Sequence, residues 1–192
     1  MPPIPLFDAS GMLPPGDHPA TLDELRDSFL VAGPPGIRAR EWDAVWRRLL
    51  VERLATLASQ LWEVGVTEIF IDGSFAEDKP HPHDIDGYFL CDRSRLLDGS
   101  LQADLNRLDP HRCWTWASDS RRPAFNSLKR QLPMWHHYRV ELYPHAPGLL
   151  SGIRDEFGHE LEFPSLFRRS RRDGRPRGVV HLLRHAAYGV AA

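Results

Sequence analysis

Lysine is nearly missing from this chain of 192 residues: Lys79 and Lys129 are the two it has, so arginine carries almost all of the positive charge. Cysteine is equally scarce. Cys91 and Cys113 are too few for the disulfide framework of a small secreted domain, and a reduced, cytoplasmic protein is expected. No apolar run approaches the roughly 20 residues that cross a bilayer, so neither a membrane-spanning helix nor a membrane partner is expected. Met1-Pro2-Pro3-Ile4-Pro5 has neither the basic start nor the apolar stretch of a signal peptide. Internal repeats and low-complexity tracts are lacking as well, which excludes solenoids and arrays.

What is there suits one globular domain. Hydrophobic residues make up 42% of the chain and charged residues 26%, enough to bury a core at this length. The net charge of -2 neither favours nor excludes nucleic acid. Its distribution is more informative: Arg168, Arg169, Arg171, Arg172, Arg175 and Arg177 fall in one short stretch with Asp173 as the opposing charge. Such a run reads either as a solvated hairpin or as a set of phosphate-binding forks, and patterning alone favours the hairpin.

Residues 1–36 read as a Pro/Gly-rich N-terminal arm on a core of residues 37–165, with residues 166–192 an Arg-rich C-terminal hairpin packed on that core. In the arm, Thr21-Leu22-Asp23-Glu24 fits a capping box. Apolar spacing predicts a long amphipathic helix from Ala39 to Glu63, with Trp42, Trp46, Leu49, Leu50, Leu54, Leu57 and Leu61 inward, Arg47, Arg48, Glu52 and Arg53 largely between them, and Gly65 as the stop. Strands are predicted over Thr67–Asp72, Ile85–Leu90, Tyr138–Tyr143 and Val179–Leu183, and a helix over Leu101–Leu108. Asp173-Gly174 signals a hairpin turn. The fold class is α+β, a mixed sheet flanked by helices in a single domain.

The chemistry lies in Phe70-Ile71-Asp72-Gly73-Ser74-Phe75 and His83-Asp84-Ile85-Asp86-Gly87-Tyr88-Phe89. Alternate side chains of a strand share a face, so Asp84 and Asp86 project together about 7 Å apart at their Cα atoms. Carboxylates this close repel unless a cation sits between them, and Mg²⁺ prefers such oxygen ligands, completing its shell with phosphate and water. Gly73 lets the backbone approach a phosphate closely, and the Ser74 hydroxyl with successive N–H groups can grip its oxygens. Phosphoryl or nucleotidyl transfer needs this equipment. A Gly-Ser pair alone is a turn and an Asp-x-Asp alone a solvated strand edge; only the joint pattern is specific. His81 and His83 flank Pro82 without any Cys or His at zinc-site spacing, and they read as a surface loop beside the nucleotide.

With Ile71-Asp72-Gly73-Ser74, nine intervening residues, and Asp84-Ile85-Asp86, the chain resembles the DNA polymerase β-like nucleotidyltransferase superfamily, and within it small bacterial proteins. The resemblance implies a nucleotidyltransferase-like fold and transfer of a nucleoside monophosphate from a nucleoside triphosphate to an acceptor hydroxyl, with Mg²⁺ as cofactor and Mn²⁺ as a substitute. It implies a third carboxylate from a later strand, for which Glu141 is the best match by context. Strand alternation would place Arg139 and Tyr143 on the Glu141 face. The implied metal set is Asp84, Asp86 and Glu141, and the implied nucleotide set Gly73, Ser74 and Arg139. Relatives act on RNA ends, proteins or small molecules, some in toxin–antitoxin or defence pairs with a cognate partner protein, and the resemblance selects no acceptor. Gly87 departs from the pattern, standing where many members carry a branched residue, and is expected to open room beside the metal pair. The competing expectation is a non-catalytic module that binds nucleotide, RNA or a partner without turnover.

Overall fold

In chain order the regular elements are β1 (Asp17–Thr21), α1 (Leu22–Asp27), α2 (Phe29–Ala32), α3 (Ala44–Glu63), β2 (Ile69–Asp72), β3 (Ile85–Leu90), α4 (Arg93–Leu97) and α5 (Ser100–Leu108). Then follow β4 (Arg122–Pro123), β5 (Arg130–Gln131), α6 (Pro133–Tyr138), β6 (Val140–His145), β7 (Leu150–Arg154), β8 (Glu160–Glu162), α7 (Phe163–Phe167) and β9 (Val179–Leu183). This computed structural model describes residues 4–38, 41–124, 129–154, 157–170 and 173–184. Five strands form one mixed sheet in the order β1-β9-β2-β3-β6, flanked by helices in a single α+β domain. β1 runs parallel to β9 and β3 parallel to β6, while β2 is antiparallel to both of its neighbours.

The arm thus supplies an edge strand and the tail the strand beside it. Thr21 makes the expected capping box with Glu24, so β1 passes directly into α1. Asp43 caps α3, its carboxylate accepting from the Trp46 N–H at 2.9 Å, and Gly65 turns the chain with φ +88°. The helix therefore starts at Ala44, Trp42 packs before it, and Ala39 and Arg40 lie outside the described residues.

One face of the sheet presents Ile69, Ile71, Ile85, Phe89, Val140, Leu142, Val180 and Leu182, each fully buried with Leu50, Leu54, Leu57 and Leu61 of α3 in the main core. Leu49 turns outward, 41% exposed, whereas Arg47 from the expected polar face is fully buried. On the opposite face Phe70 stacks on Tyr88 at 4.8 Å between ring centres, and Phe167 of α7 closes over Tyr88. The third predicted strand runs two residues later than expected, because Pro133 starts a short helix that takes Tyr138 and ends at Arg139. Gly87 opens no room beside the acidic pair. It faces the main core, where an added Cβ would lie 2.4 Å from the Phe70 carbonyl oxygen and 2.9 Å from Leu142. Among the described residues, no helix is long and apolar enough to cross a membrane.

Candidate functional site

β2 carries the chain to the edge of a cleft, and Gly73 turns it there. Gly73 has φ +73°, cheap only for glycine, and opens a single tight turn over Gly73–Ala76. Space requires glycine too, since a Cβ would lie 2.5 Å from Asp86 Oδ2. The Gly73 backbone is therefore the floor under the Asp86 carboxylate, and half-buried Ser74 follows on the cleft wall. Gly73→Ala is expected to cost roughly 2–4 kcal/mol from left-handed backbone and overpacking, read by urea unfolding, and to push Asp86 out of place. Wild-type stability in that variant would mean that the turn has another shape.

Strand register assembles the acids. β2–β3 pairing sets Asp72 opposite Asp86, and β3–β6 pairing sets Asp86 beside Glu141, so three carboxylates run abreast across three strands. Asp84, two residues before Asp86, shares their side and lines the same cleft of about 820 Å³. Asp84 Oδ2 accepts from the Trp135 indole N–H at 2.7 Å. Glu141 Oε1 accepts from the Leu132 backbone N–H at 2.6 Å and Oε2 from the Tyr143 hydroxyl at 2.8 Å. These bonds fix the start of α6 against β6. As the side chains stand, no group of three His, Cys, Asp or Glu among the described residues is arranged to hold a metal ion.

In the sequence Asp72 is only the end of a predicted strand; its place in the row depends on a pairing register that no local pattern displays. It is buried, with Oδ2 accepting from Arg177 at 2.5 Å and Oδ1 without a hydrogen-bond partner among the described residues. Burial pushes its pKa up to about 7, aided by the charge of Asp86 and opposed by the Arg177 guanidinium and the Gly73 amide. The folded state then holds a proton that the unfolded chain releases near the ordinary carboxylate value. Stability should fall as pH rises from about 4 toward 7, the reverse of a carboxylate whose pKa is depressed. Chemical unfolding at pH 5 and pH 7.5 should show a smaller difference in Asp72→Asn than in wild type. An unchanged slope would mean that Asp72 stays ionised throughout.

Within the arginine run, Arg177 is spent inside the fold and Arg168 is half-buried, while Arg169 and Arg175 are exposed. Arg177 is 6% exposed and bonds Asp72, Glu77 at 2.6 Å and the Phe167 carbonyl oxygen at 3.1 Å. Arg168 pairs with Asp17 and donates to the Tyr88 hydroxyl, and Arg175 pairs with Asp173 in the expected turn. Arg171 and Arg172 lie outside the described residues. Arg177 lines the cleft, whose other cations come from elsewhere. Lys79 and Lys129, both lysines of the chain, line it with Arg121 and Arg139. Residues 120–140 hold no acidic residue but carry Arg121, Arg122, Lys129, Arg130 and Arg139. That composition was the available signal, hidden beside the denser run at 168–177.

Arg139 reaches the cleft by an unexpected route. It is the left-handed C-cap of α6, with φ 55°, rather than a strand residue alternating with Glu141. Tyr143 does share the Glu141 face. His83 lines the cleft mouth, while His81 stacks on Trp46 at 5.5 Å between ring centres and bonds Asp43 at 2.8 Å.

The fold and cleft define an α+β protein whose sheet end presents a row of carboxylates under a cationic wall. Residues 5–183 match the model of DUF6932, a family of unknown function, and the chain belongs to that family. Comparison with curated proteins finds no match, and comparison with solved structures finds none.

Proposed function

We propose that this cleft binds a nucleoside triphosphate with magnesium and transfers the nucleoside monophosphate to an acceptor hydroxyl, releasing pyrophosphate. The observation that supports this most is the placement of Asp86 between Asp72 and Glu141 in register, on the floor made by Gly73, with lysines and arginines in the same cleft. Magnesium binds through one or two carboxylates and takes its other ligands from phosphates and water. Asp84 and Asp86 fit that demand: Trp135 occupies one oxygen of Asp84, leaving Oδ1. Glu141 is the third carboxylate of this reading; Leu132 and Tyr143 hold its two oxygens and Arg121 pairs with Oε1 at 3.7 Å, so a metal would have to share it with these donors. Mn²⁺ would substitute. When bound, the metal would offset triphosphate charge and ease deprotonation of the acceptor. Gly73 and Ser74 would grip the outer phosphates through backbone N–H groups and the hydroxyl, and Arg139 would add positive charge. The acceptor, whether an RNA end, a protein or a small molecule, would approach the open side. The cytoplasm, where the free thiols Cys91 and Cys113 stay reduced, is the compartment assigned.

A second reading, binding without turnover, is favoured by the same Glu141, whose two oxygens both hold structural donors. Incubation with α-labelled nucleoside triphosphates, magnesium and cell extract separates the two. Label transferred to an acceptor supports the first. Magnesium-dependent nucleotide binding without label transfer supports the second, and absence of binding removes both.

A further inference from the structure

Arg139 stands where the backbone would be better served by glycine. The residue closing a helix in left-handed conformation is usually Gly, because an L-side chain there is strained. Arg139 nevertheless holds φ 55° and ψ 36°. Its guanidinium lies 3.8 Å above the centre of the Trp135 ring, and Trp135 is 6% exposed and anchored through its indole N–H to Asp84. Among the described residues no hydrogen bond or ion pair takes up the Arg139 guanidinium, although it lines the cleft beside the carboxylates. A cation stacked on a buried ring, with its donor fork unspent, is organised before any ligand arrives. Lys79, on the loop following the Gly73–Ala76 turn, lines the same cleft, likewise without an ion pair among the described residues.

We propose that Arg139, held on Trp135, forms with Lys79 a polyphosphate-binding subsite that works without a metal ion. The ligand class is a chain of phosphates, such as the triphosphate of a nucleotide or a free inorganic polyphosphate. A planar fork bonds two phosphate oxygens at once, and a point charge elsewhere in the same cleft can meet a second phosphate, which a single sulfate does not offer. The proposal deepens the nucleotide reading by naming what the cleft recognises, but it leaves Asp84 and Asp86 with no part in this contact. Trp135 links the two, because its ring face carries the cation and its N–H carries the acid.

The test is isothermal titration of the full chain with sodium tripolyphosphate in EDTA, with sulfate as the comparison anion and Mg²⁺–ATP in a separate series. Wild type should bind tripolyphosphate and prefer it to sulfate. Arg139→Gly should weaken that binding at least about tenfold, roughly 1.4 kcal/mol, while melting at or above the wild-type temperature. Arg139→Lys, which keeps the charge but loses fork and stacking, should fall between them, and it serves if the glycine variant folds poorly. Wild-type tripolyphosphate affinity in both variants would overturn the inference and leave Arg139 as packing on Trp135. Equal binding of sulfate and tripolyphosphate would also overturn it, as would binding of Mg²⁺–ATP alone. In that last case the nucleotide reading stands; loss of all Mg²⁺–ATP binding in wild type removes the nucleotide reading without touching the metal-free result.

Discussion

Asp86→Asn is expected to reduce label transfer by about 10³-fold or more while leaving the metal-free protein melting at or above the wild-type temperature. Asp86 is the middle of a row, with Asp72 opposite it on β2 and Glu141 beside it on β6. Without a bound metal ion, the Asp86 charge raises the energy of the ionised Asp72 opposite it, so removing that charge relieves the pair. Asn fits the same space above Gly73, so the floor is undisturbed. With metal and nucleotide present the sign reverses, because the lost charge is a ligand. Magnesium with nucleoside triphosphate should raise the melting temperature of wild type and much less that of the variant, since ligand stabilisation follows occupancy. Asp84→Asn is the companion. Its amide oxygen still accepts from the Trp135 N–H, so the wall of the cleft should keep its shape. Undiminished transfer in both variants would remove the acidic pair from the chemistry. A large fall in metal-free stability would assign Asp86 a structural role instead.

The parts of this site differ in how legible they are in the sequence, and the difference is one of range. β3 and β9 begin and end where branched and aromatic runs meet glycine, proline or charge, and their bounds are those expected. β1 holds one buried residue and a proline in Asp17-His18-Pro19-Ala20-Thr21, so nothing local declares it a strand. Parallel pairing with β9 makes it one, and a sheet edge tolerates the proline. α6 hides for a different reason: Met134, Trp135 and Tyr138 suit a strand as well as a helix, and only Pro133 at the first turn marks the start. The Gly-Ser turn and Asp84-x-Asp86 are legible because their chemistry is local. Glu141 needs only the motif's order to be suspected, yet its neighbour on the sheet is fixed by register. The partners of Arg177 and Arg47 lie far off in sequence, so charge patterning assigns both arginines to solvent, and folding places both inside.

Arg47→Met is expected to cost roughly 3–5 kcal/mol of stability, and with it the nucleotide response. Arg47 projects from α3 into the core with no exposed surface. One terminal nitrogen donates to the Phe75 carbonyl oxygen at 2.8 Å, the other to those of Glu77 at 3.2 Å and Lys79 at 3.0 Å. The guanidinium lies 4.1 Å from the centre of the Trp42 ring and 4.8 Å from that of Phe75. Burial pulls its pKa down to about 9, still well above neutrality, so the group is charged when it makes these bonds. Methionine can fill the apolar part of this volume but donates nothing, leaving three loop carbonyls without their donor. For a chain of this size the loss corresponds to a fall of roughly 10 °C in melting temperature. The same carbonyls shape the loop that follows the Gly73–Ala76 turn and carries Lys79 to the cleft. The stabilisation that magnesium and nucleotide give to wild type should therefore shrink in the variant even at temperatures where it is fully folded. Arg47→Lys, which restores a charge and some of the donors, should recover part of both losses. If Arg47→Met melts within about 2 °C of wild type, a difference below 1 kcal/mol, the buried guanidinium is not what holds the loop. If stability falls but nucleotide binding at low temperature is unchanged, the loop keeps its shape without Arg47, and the link from core to cleft is broken at that point.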